Sequence, residues 1–365
     1  MNVFDLSGEA LGERLRAWGE PPFRGGQVYA QLWRRSATYE EMSDVPPALR
    51  ARLQAELPRA IDVLEERVAD AGATRKALLL LGGRHVIETV LMGYPDRVTA
   101  CVSSQSGCAM GCGFCATGQM GLQNNLTVGE IAAQVVWARR EAARLPPGTP
   151  RRLSNVVLMG MGEPLANERH TFEAIQRLTD PTGMGMGDRH ITLSTVGVAP
   201  GIRRLAERFP QVGLAVSLHA ADDELRDRLV PVNRLWPLRV LEGAIADWRA
   251  RTHRRPSIEW AMIDGVNDGS GQAEMLTGIA RRLHAHVNLI PLNPTPRSAL
   301  RPSPPGRIGR FVEVLRVGGV NVTVRDTRGR RIEAACGQLR WAHEAAGRAS
   351  RTAYRPEGAP AATSA

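Results

Sequence analysis

Of the 47 basic residues in this 365-residue chain only one, Lys76, is lysine. The arginine bias follows from GC-rich coding as readily as from selection for phosphate contacts. The net charge of +10 therefore favours a polyanionic partner such as nucleic acid without establishing one. Arginine binds phosphate bidentately, so the charge is usable where it clusters on one face. No apolar run reaches membrane-spanning length, and the opening MNVFDLSGEALGERLRAW has neither the apolar core nor the cleavage site of a signal peptide. These absences predict a cytoplasmic protein that engages no membrane, and no solenoid repeat is visible. Cysteine is scarce. The five form an odd set, four of them between 101 and 115, which suits metal chemistry in a reducing compartment better than a disulfide framework.

Three of those four, Cys108, Cys112 and Cys115, stand at C-x3-C-x2-C spacing in CVSSQSGCAMGCGFCATGQMGLQNNLTVGE (101–130), where small residues let thiolates fold round one inorganic centre. The ligand number is informative. Structural zinc takes four protein ligands and ferredoxin-type clusters take four cysteines, but this motif stops at three. A cubane held by three cysteines keeps one iron open. The spacing resembles that of the radical S-adenosylmethionine (SAM) enzymes. That resemblance implies one [4Fe-4S] cluster whose fourth iron is chelated by the amino and carboxylate groups of SAM, and whose electron cleaves the sulfonium to a 5'-deoxyadenosyl radical. On spacing alone two other readings stay open: a zinc knot completed by Cys101 or Cys336, and cysteines packed as small apolar residues.

Residues 1–70 read as a small helical unit. Ser7 is placed to cap a helix running to Trp18, Pro21 and Pro22 interrupt, a second helix follows from Gly25 or Gly26 to Trp33, and a third lies between Glu40 and Leu57. Arg14, Arg16, Arg24, Arg34 and Arg35 fall between the apolar positions, on faces that suit RNA and solvent equally. Within 71–97 a β-hairpin is expected, with strands Ala77 to Leu81 and His85 to Met92 about Gly82-Gly83. Glu88 lies in the second strand, and alternation points its carboxylate to solvent.

Over 98–342 strand and helix signals alternate. Strands are expected at Val98–Ser103, Val156–Met159, Ile191–Thr195, Gly213–Leu218, Ile258–Met262, Val287–Ile290 and Val320–Arg325. The first helix opens on the capping box Thr127-Val128-Gly129-Glu130; others are expected near His170–Leu178 and at Gly201–Arg208, Asp223–Leu229, Gly271–Leu283 and Ile308–Val317. Such units imply right-handed crossovers and a parallel sheet. About six of them, with the cysteine loop after the first strand, favour an α/β partial (βα)6 barrel over a doubly wound sheet. The tail 343–365, small, polar and proline-bearing, is expected to be disordered.

Four strands end in small or polar tips: Met159-Gly160-Met161-Gly162-Glu163-Pro164, Leu193-Ser194-Thr195-Val196-Gly197, Val216-Ser217-Leu218-His219-Ala220 and Leu292-Asn293-Pro294. One polar tip can be a structural end; four on one rim suit a polar cofactor. Cys336 stands apart, beside Gly337, where its thiol is either approachable or simply buried.

FRGGQVYAQLW, CVSSQSGCAMGCGFCATGQMGL, NLTVGEI, MGMGEPL, TLSTVG, SLHA, VPVN, GVND, NLIPLNP, TRG and AACGQL cover nearly the whole chain. Together they resemble the bacterial radical SAM adenine C2 methyltransferases (RlmN/Cfr-like enzymes), which modify 23S ribosomal RNA and adenosine 37 of transfer RNA. The resemblance implies a relay using two SAM molecules per turnover: one methylates Cys336, and the other yields the radical that abstracts hydrogen from that methyl, whose carbon adds to adenine C2. It implies Cys101 as the resolving thiol, forming a transient disulfide with Cys336, and Glu88 as proton acceptor, against the solvent reading by alternation. Gly162, Glu163, Ser194, Ser217, Leu218, His219 and Asn293 match the family's cofactor-binding positions. Flavodoxin or ferredoxin is the implied type of reductant, the arginines of the helical unit become candidate phosphate contacts, and a monomer is the default state. Two rivals remain. The related C8 methyltransferases of 23S ribosomal RNA, which confer antibiotic resistance, share the same cysteines. A zinc-stabilised RNA-binding protein without catalysis leaves Cys336 and the strand tips without a purpose.

Overall fold

Capping chemistry sets the N-terminal unit of the computed structural model, which describes residues 2–59, 61–295, 297–325, 339, 340 and 343. The Ser7 hydroxyl accepts the Ala10 amide and starts α1 (Gly8–Ala17). Helix α2 (Phe23–Arg34) follows Pro22 and α3 (Pro47–Glu56) opens on a proline, whose fixed φ suits a first turn. A Cβ on Gly25 would stand 2.5 Å from the Gly12 Cα, so α1 and α2 meet backbone to backbone at their glycines. The unit is fastened to the rest of the chain by side chains. Asp5 Oδ1 accepts the Gly129 amide at 2.6 Å, Tyr29 donates to Asp180 at 2.9 Å, and Arg140 grips both oxygens of Glu41 at 2.7 and 2.9 Å.

Strands β1 (Ile61–Ala69), β2 (Thr74–Leu81) and β3 (His85–Gly93) form an antiparallel ribbon. The β2–β3 hairpin was expected, whereas β1 extends the sheet into a stretch expected to close the helical unit at 70. Its central Glu65-Glu66-Arg67 hides the strand pattern. On this edge strand those charges pair instead, Glu65 with Arg67 at 2.7 Å and Glu66 with Arg75 at 2.8 Å, and charged edges resist further pairing.

Next come β4 (Val98–Cys101), β5 (Gln105–Gly107), α4 (Ala116–Gln119) and β6 (Leu122–Asn125). The β5–β6 pair, not anticipated, flanks the cysteine loop. Thr127 and Glu130 form the expected capping box for α5 (Val128–Ala142). The chain continues through β7 (Asn155–Leu158), α6 (Glu168–Thr179), β8 (Ile191–Thr195), α7 (Ala199–Arg208), β9 (Gly213–Ser217) and α8 (Asp223–Leu229). It then forms α9 (Leu238–Thr252), β10 (Ser257–Met262), α10 (Ser270–Leu283), β11 (His286–Pro291), α11 (Pro305–Val317) and β12 (Val322–Val324). Helix α9 has no counterpart in the sequence reading. It buries Leu241, Ala244, Ile245 and Trp248, an unbroken i, i+3, i+4, i+7 stripe that the sequence reading passes over.

One sheet runs β1-β2-β3-β4-β7-β8-β9-β10-β11-β12, parallel from β4 onward, with helical crossovers between successive parallel strands. This is the expected α/β partial barrel, whose functional face lies at the strand carboxyl ends. Among the described residues no helix is long and apolar enough to cross a membrane. Cys336 and the tail expected to be disordered lie outside the described residues, His343 excepted.

Candidate active site

The cysteine loop folds back on itself because its glycines leave room. A Cβ on Gly107 would stand 1.9 Å from the Gly121 carbonyl oxygen, the atom that accepts the Cys108 amide at 3.0 Å. One on Gly118 would press the Cys112 carbonyl at 3.0 Å. Cys108, Cys112 and Cys115 line one cavity of about 200 Å³ together with Gly162, Glu163, Ser194, Ser217 and His219. Burial pushes the Cys108 thiol up to about 12, Cys112 well above its ordinary value and Cys115 upward. Each also feels a neighbouring cysteine or carboxylate. Thiols so placed stay protonated until a cationic centre draws off their protons.

Two glycines bring the β7 tip against the strand leading into this loop. A Cβ on Gly160 would lie 2.6 Å from the Val102 carbonyl, and one on Gly162, at φ +102°, 2.5 Å from the Gln105 Cβ. Glu163 is thereby turned inward. Its Oε1 accepts the Leu165 amide at 3.0 Å and its Oε2 the Val196 amide at 2.8 Å. Burial outweighs those bonds and lifts its carboxyl to about 7.

His219, at φ +61°, takes a left-handed turn just past β9. Its Nδ1 accepts the Ala261 amide at 2.9 Å, which assigns the neutral ring's proton to Nε2. Burial, reinforced by the charge of Arg226, holds the imidazole down to about 3. Arg226 is wholly buried and donates to Leu218 O at 3.1 Å, Asn233 Oδ1 at 2.7 Å and Val196 O at 2.6 Å. Asn267 bonds the carbonyls of His219 at 2.8 Å and Ala261 at 2.7 Å. The VPVN and GVND stretches thus hold the strand tips through Asn233 and Asn267.

Two expected cofactor positions stand off the cavity wall. Leu218 is buried and contributes its backbone, donating to Glu259 O at 3.0 Å. Asn293 lines a neighbouring cavity of about 860 Å³ beside α11. Conversely, Glu259 and Arg325 line the central cavity without a sequence signal. Glu259 gave none because it sits inside a strand; there it accepts from Ser257 and Asn288, each at 2.7 Å.

The solvent reading of Glu88 is wrong. Strand β3 lies between β2 and β4 and has no wet face: Thr89 bonds Gln134 of α5 on one side, and Glu88, 2% exposed, meets Lys76 on the other. The chain's single lysine is itself fully buried, with Nζ 2.9 Å from Glu88 Oε2. Cys101 lies in the same corner. Burial pushes its thiol up to about 11, while Arg325, the Met159 amide and Lys76 act downward and Glu88 upward.

The donor set fits an iron-sulfur cluster better than zinc. Zinc gathers its thiolates about 2.3 Å from one centre. Among the described residues no three His, Cys, Asp or Glu side chains are gathered as a single-ion site. A cubane spreads its thiolates over separate iron atoms, as a cavity lined by three cysteines allows.

Comparison with known proteins gives a consistent picture. Residues 102–247 match the family model described as the Radical SAM superfamily. A protein of Salinispora tropica named a probable dual-specificity RNA methyltransferase RlmN is 51% identical over 342 residues, covering 92% of this chain and 91% of that one. A Thermobifida fusca protein of the same name is 50% identical over 345 residues, covering 93% and 94%. A solved radical SAM methyltransferase from Sphaerobacter thermophilus superposes with a TM-score of 0.88 at 48% identity, covering 93% of this chain and 98% of the other.

Proposed function

Because the chain belongs to the RlmN family of radical SAM dual-specificity RNA methyltransferases, we propose that it methylates C2 of an adenosine in 23S ribosomal RNA and of adenosine 37 in transfer RNA through a methyl-cysteine relay. The carrying observation is a juxtaposition: the thiol-lined cavity opens beside a corner where the half-buried Cys101 meets the buried pair Glu88 and Lys76. Adenine C2 is an electron-poor amidine carbon that does not attack a sulfonium methyl group, so a polar transfer is excluded by the substrate's own chemistry.

Cys108, Cys112 and Cys115 would hold one [4Fe-4S] cluster. Glu163, Ser194, Ser217 and His219 would bind SAM, with Gly162 admitting it, Leu218 holding the β9 tip through its backbone and Asn293 approaching from the neighbouring cavity. When bound, cluster and SAM supply a one-electron cleavage whose 5'-deoxyadenosyl product abstracts hydrogen. The remaining work falls to side chains. Cys336 carries a methyl group taken from a first SAM; that carbon, short of one hydrogen, bonds C2. The adduct gives one proton to Glu88 and one electron, for which the cluster, left oxidised by the cleavage, would be the acceptor. Cys101 sulfur then bonds Cys336 sulfur, the Cys336 sulfur–carbon bond breaks, and the carbon left on adenine gains a proton. We place the enzyme in the cytoplasm as a monomer, reduced by a flavodoxin or ferredoxin.

The test is nucleoside mass spectrometry of unmodified 23S ribosomal RNA and transfer RNA after incubation with iron-loaded protein, SAM and reductant, alongside Cys336→Ala. The reading expects 2-methyladenosine only with intact Cys336. Formation of 8-methyladenosine would replace the regiochemistry, and no methylated adenosine from either RNA would overturn the proposal.

A further inference from the structure

Burying an ammonium and a carboxylate is expensive unless geometry and hydrogen bonds compensate, so an interior pair in a chain otherwise reliant on arginine needs a reason. Lys76 and Glu88 are 0% and 2% exposed and are diagonal neighbours across β2 and β3, where Lys76 faces Val90 and Leu78 faces Glu88. Nζ takes Oε2 at 2.9 Å, and Oε1 accepts the backbone N–H of Arg340 at 2.7 Å. Arg340, 2% exposed, directs its guanidinium to Ser106 Oγ of β5 at 2.9 Å and to Gln123 of β6. Those two strands flank the cysteine loop. Arg340 also follows Cys336 by only four residues in sequence.

We propose that Lys76 is a positioning residue for Glu88, and that the carboxylate it aims seats the chain segment after Cys336 through the Arg340 amide. The inference rests on the function proposed above for what Glu88 and Cys336 do. It explains why the residue is lysine. An ammonium is a point charge that satisfies one carboxylate oxygen, whereas a guanidinium forks onto both and would compete with the Arg340 amide. The same carboxylate thus joins the hairpin to the C-terminal segment, and the Arg340 side chain joins that segment to the walls of the cysteine loop.

Two variants test it, Lys76→Met, which removes the charge, and Lys76→Arg, which keeps it and adds the fork. In the iron-free full-length protein, hydrogen exchange at the Arg340 amide is expected to accelerate at least tenfold in both, because Oε1 is no longer held towards it. In the iron-loaded enzyme with RNA, Lys76→Met is expected to lower 2-methyladenosine about a hundredfold, the scale of a misplaced general base. The same variant is expected to leave RNA covalently attached to the protein, the outcome expected also of Glu88→Gln. Unchanged exchange at Arg340 in both variants overturns the inference, as does parallel loss of adduct and product, which marks a general folding defect. If Lys76→Met does not fold, Lys76→Arg decides by the same exchange measurement. Wild-type protein that methylates no adenosine would remove the proposed function while leaving the exchange result to judge the clamp.

Discussion

Arg226 is the residue whose loss the structure converts most directly into numbers. Replacing it with methionine removes the buried donor shared by Leu218 O, Val196 O and Asn233 Oδ1. A buried acceptor stripped of its partner costs about 1–3 kcal/mol, so three of them cost on the order of 5 kcal/mol. An opposing effect is present. Burial lowers the guanidinium from 12.5 to about 10. The folded protein therefore spends about 3 kcal/mol keeping Arg226 charged, which methionine relieves. The difference leaves a net loss of about 2 kcal/mol in urea unfolding of the iron-free protein, followed by tryptophan fluorescence. The effect on the rim is larger than on the fold, because Val196 and Leu218 adjoin two cavity-lining tips and lose their common tie. If only a tenth of molecules then hold the binding geometry, the dissociation constant for SAM rises about tenfold, measured by equilibrium dialysis with iron-loaded protein. Arg226→Lys should fall between, since one ammonium cannot span all three acceptors. A methionine variant with the wild-type urea midpoint and SAM affinity would refute this reasoning.

Glu163, whose carboxyl burial lifts from 4.5 to about 7, gives a pH signature. A raised folded-state value contributes stability fully present below 4.5 and lost as pH rises through 7. The stability difference between wild type and Glu163→Gln should therefore shift by about 3 kcal/mol against wild type between pH 4 and pH 8, and a pH-independent difference contradicts it. The Cys101 thiol, held up to about 11, is a poor thiolate at neutrality. Decay of the protein–RNA adduct should accelerate about tenfold per unit between pH 7 and 9, and a flat profile removes Cys101 thiolate formation as the limiting event. Arg34 and Arg35 are exposed at the end of α2. Their joint reversal to glutamate should weaken RNA binding and reduce the slope of log affinity against log salt by about 1.5–2, whereas an unchanged slope clears this face of phosphate contact.

The cysteine loop was legible because its three thiols lie close together in sequence, and Ser7 and Thr127 announced their helices because capping is decided within four residues. What escaped the sequence depended on register or long-range packing. Lys76 and Glu88 share a face only because Gly82, Gly83 and Arg84 make a three-residue connection that pairs Leu81 with His85. A two-residue turn would shift the register by one and turn one partner away. Alternation failed for Glu88 because it presumes one wet face, and an interior strand covered on both sides has none. Arg226 carried no mark among so many arginines; its importance arises from the three acceptors that folding brings to it. The edge strand β1 was obscured by charges that serve to protect the edge.

The central claim, that the methyl carbon passes through a hydrogen-depleted state on Cys336 before reaching adenine, is tested most directly with SAM carrying a CD3 methyl group. The methyl loses one deuterium when hydrogen is abstracted and regains one hydrogen from solvent when the adduct is resolved. The account predicts 2-methyladenosine containing two deuterium atoms. Product retaining all three would show intact transfer of the methyl group and contradict the relay.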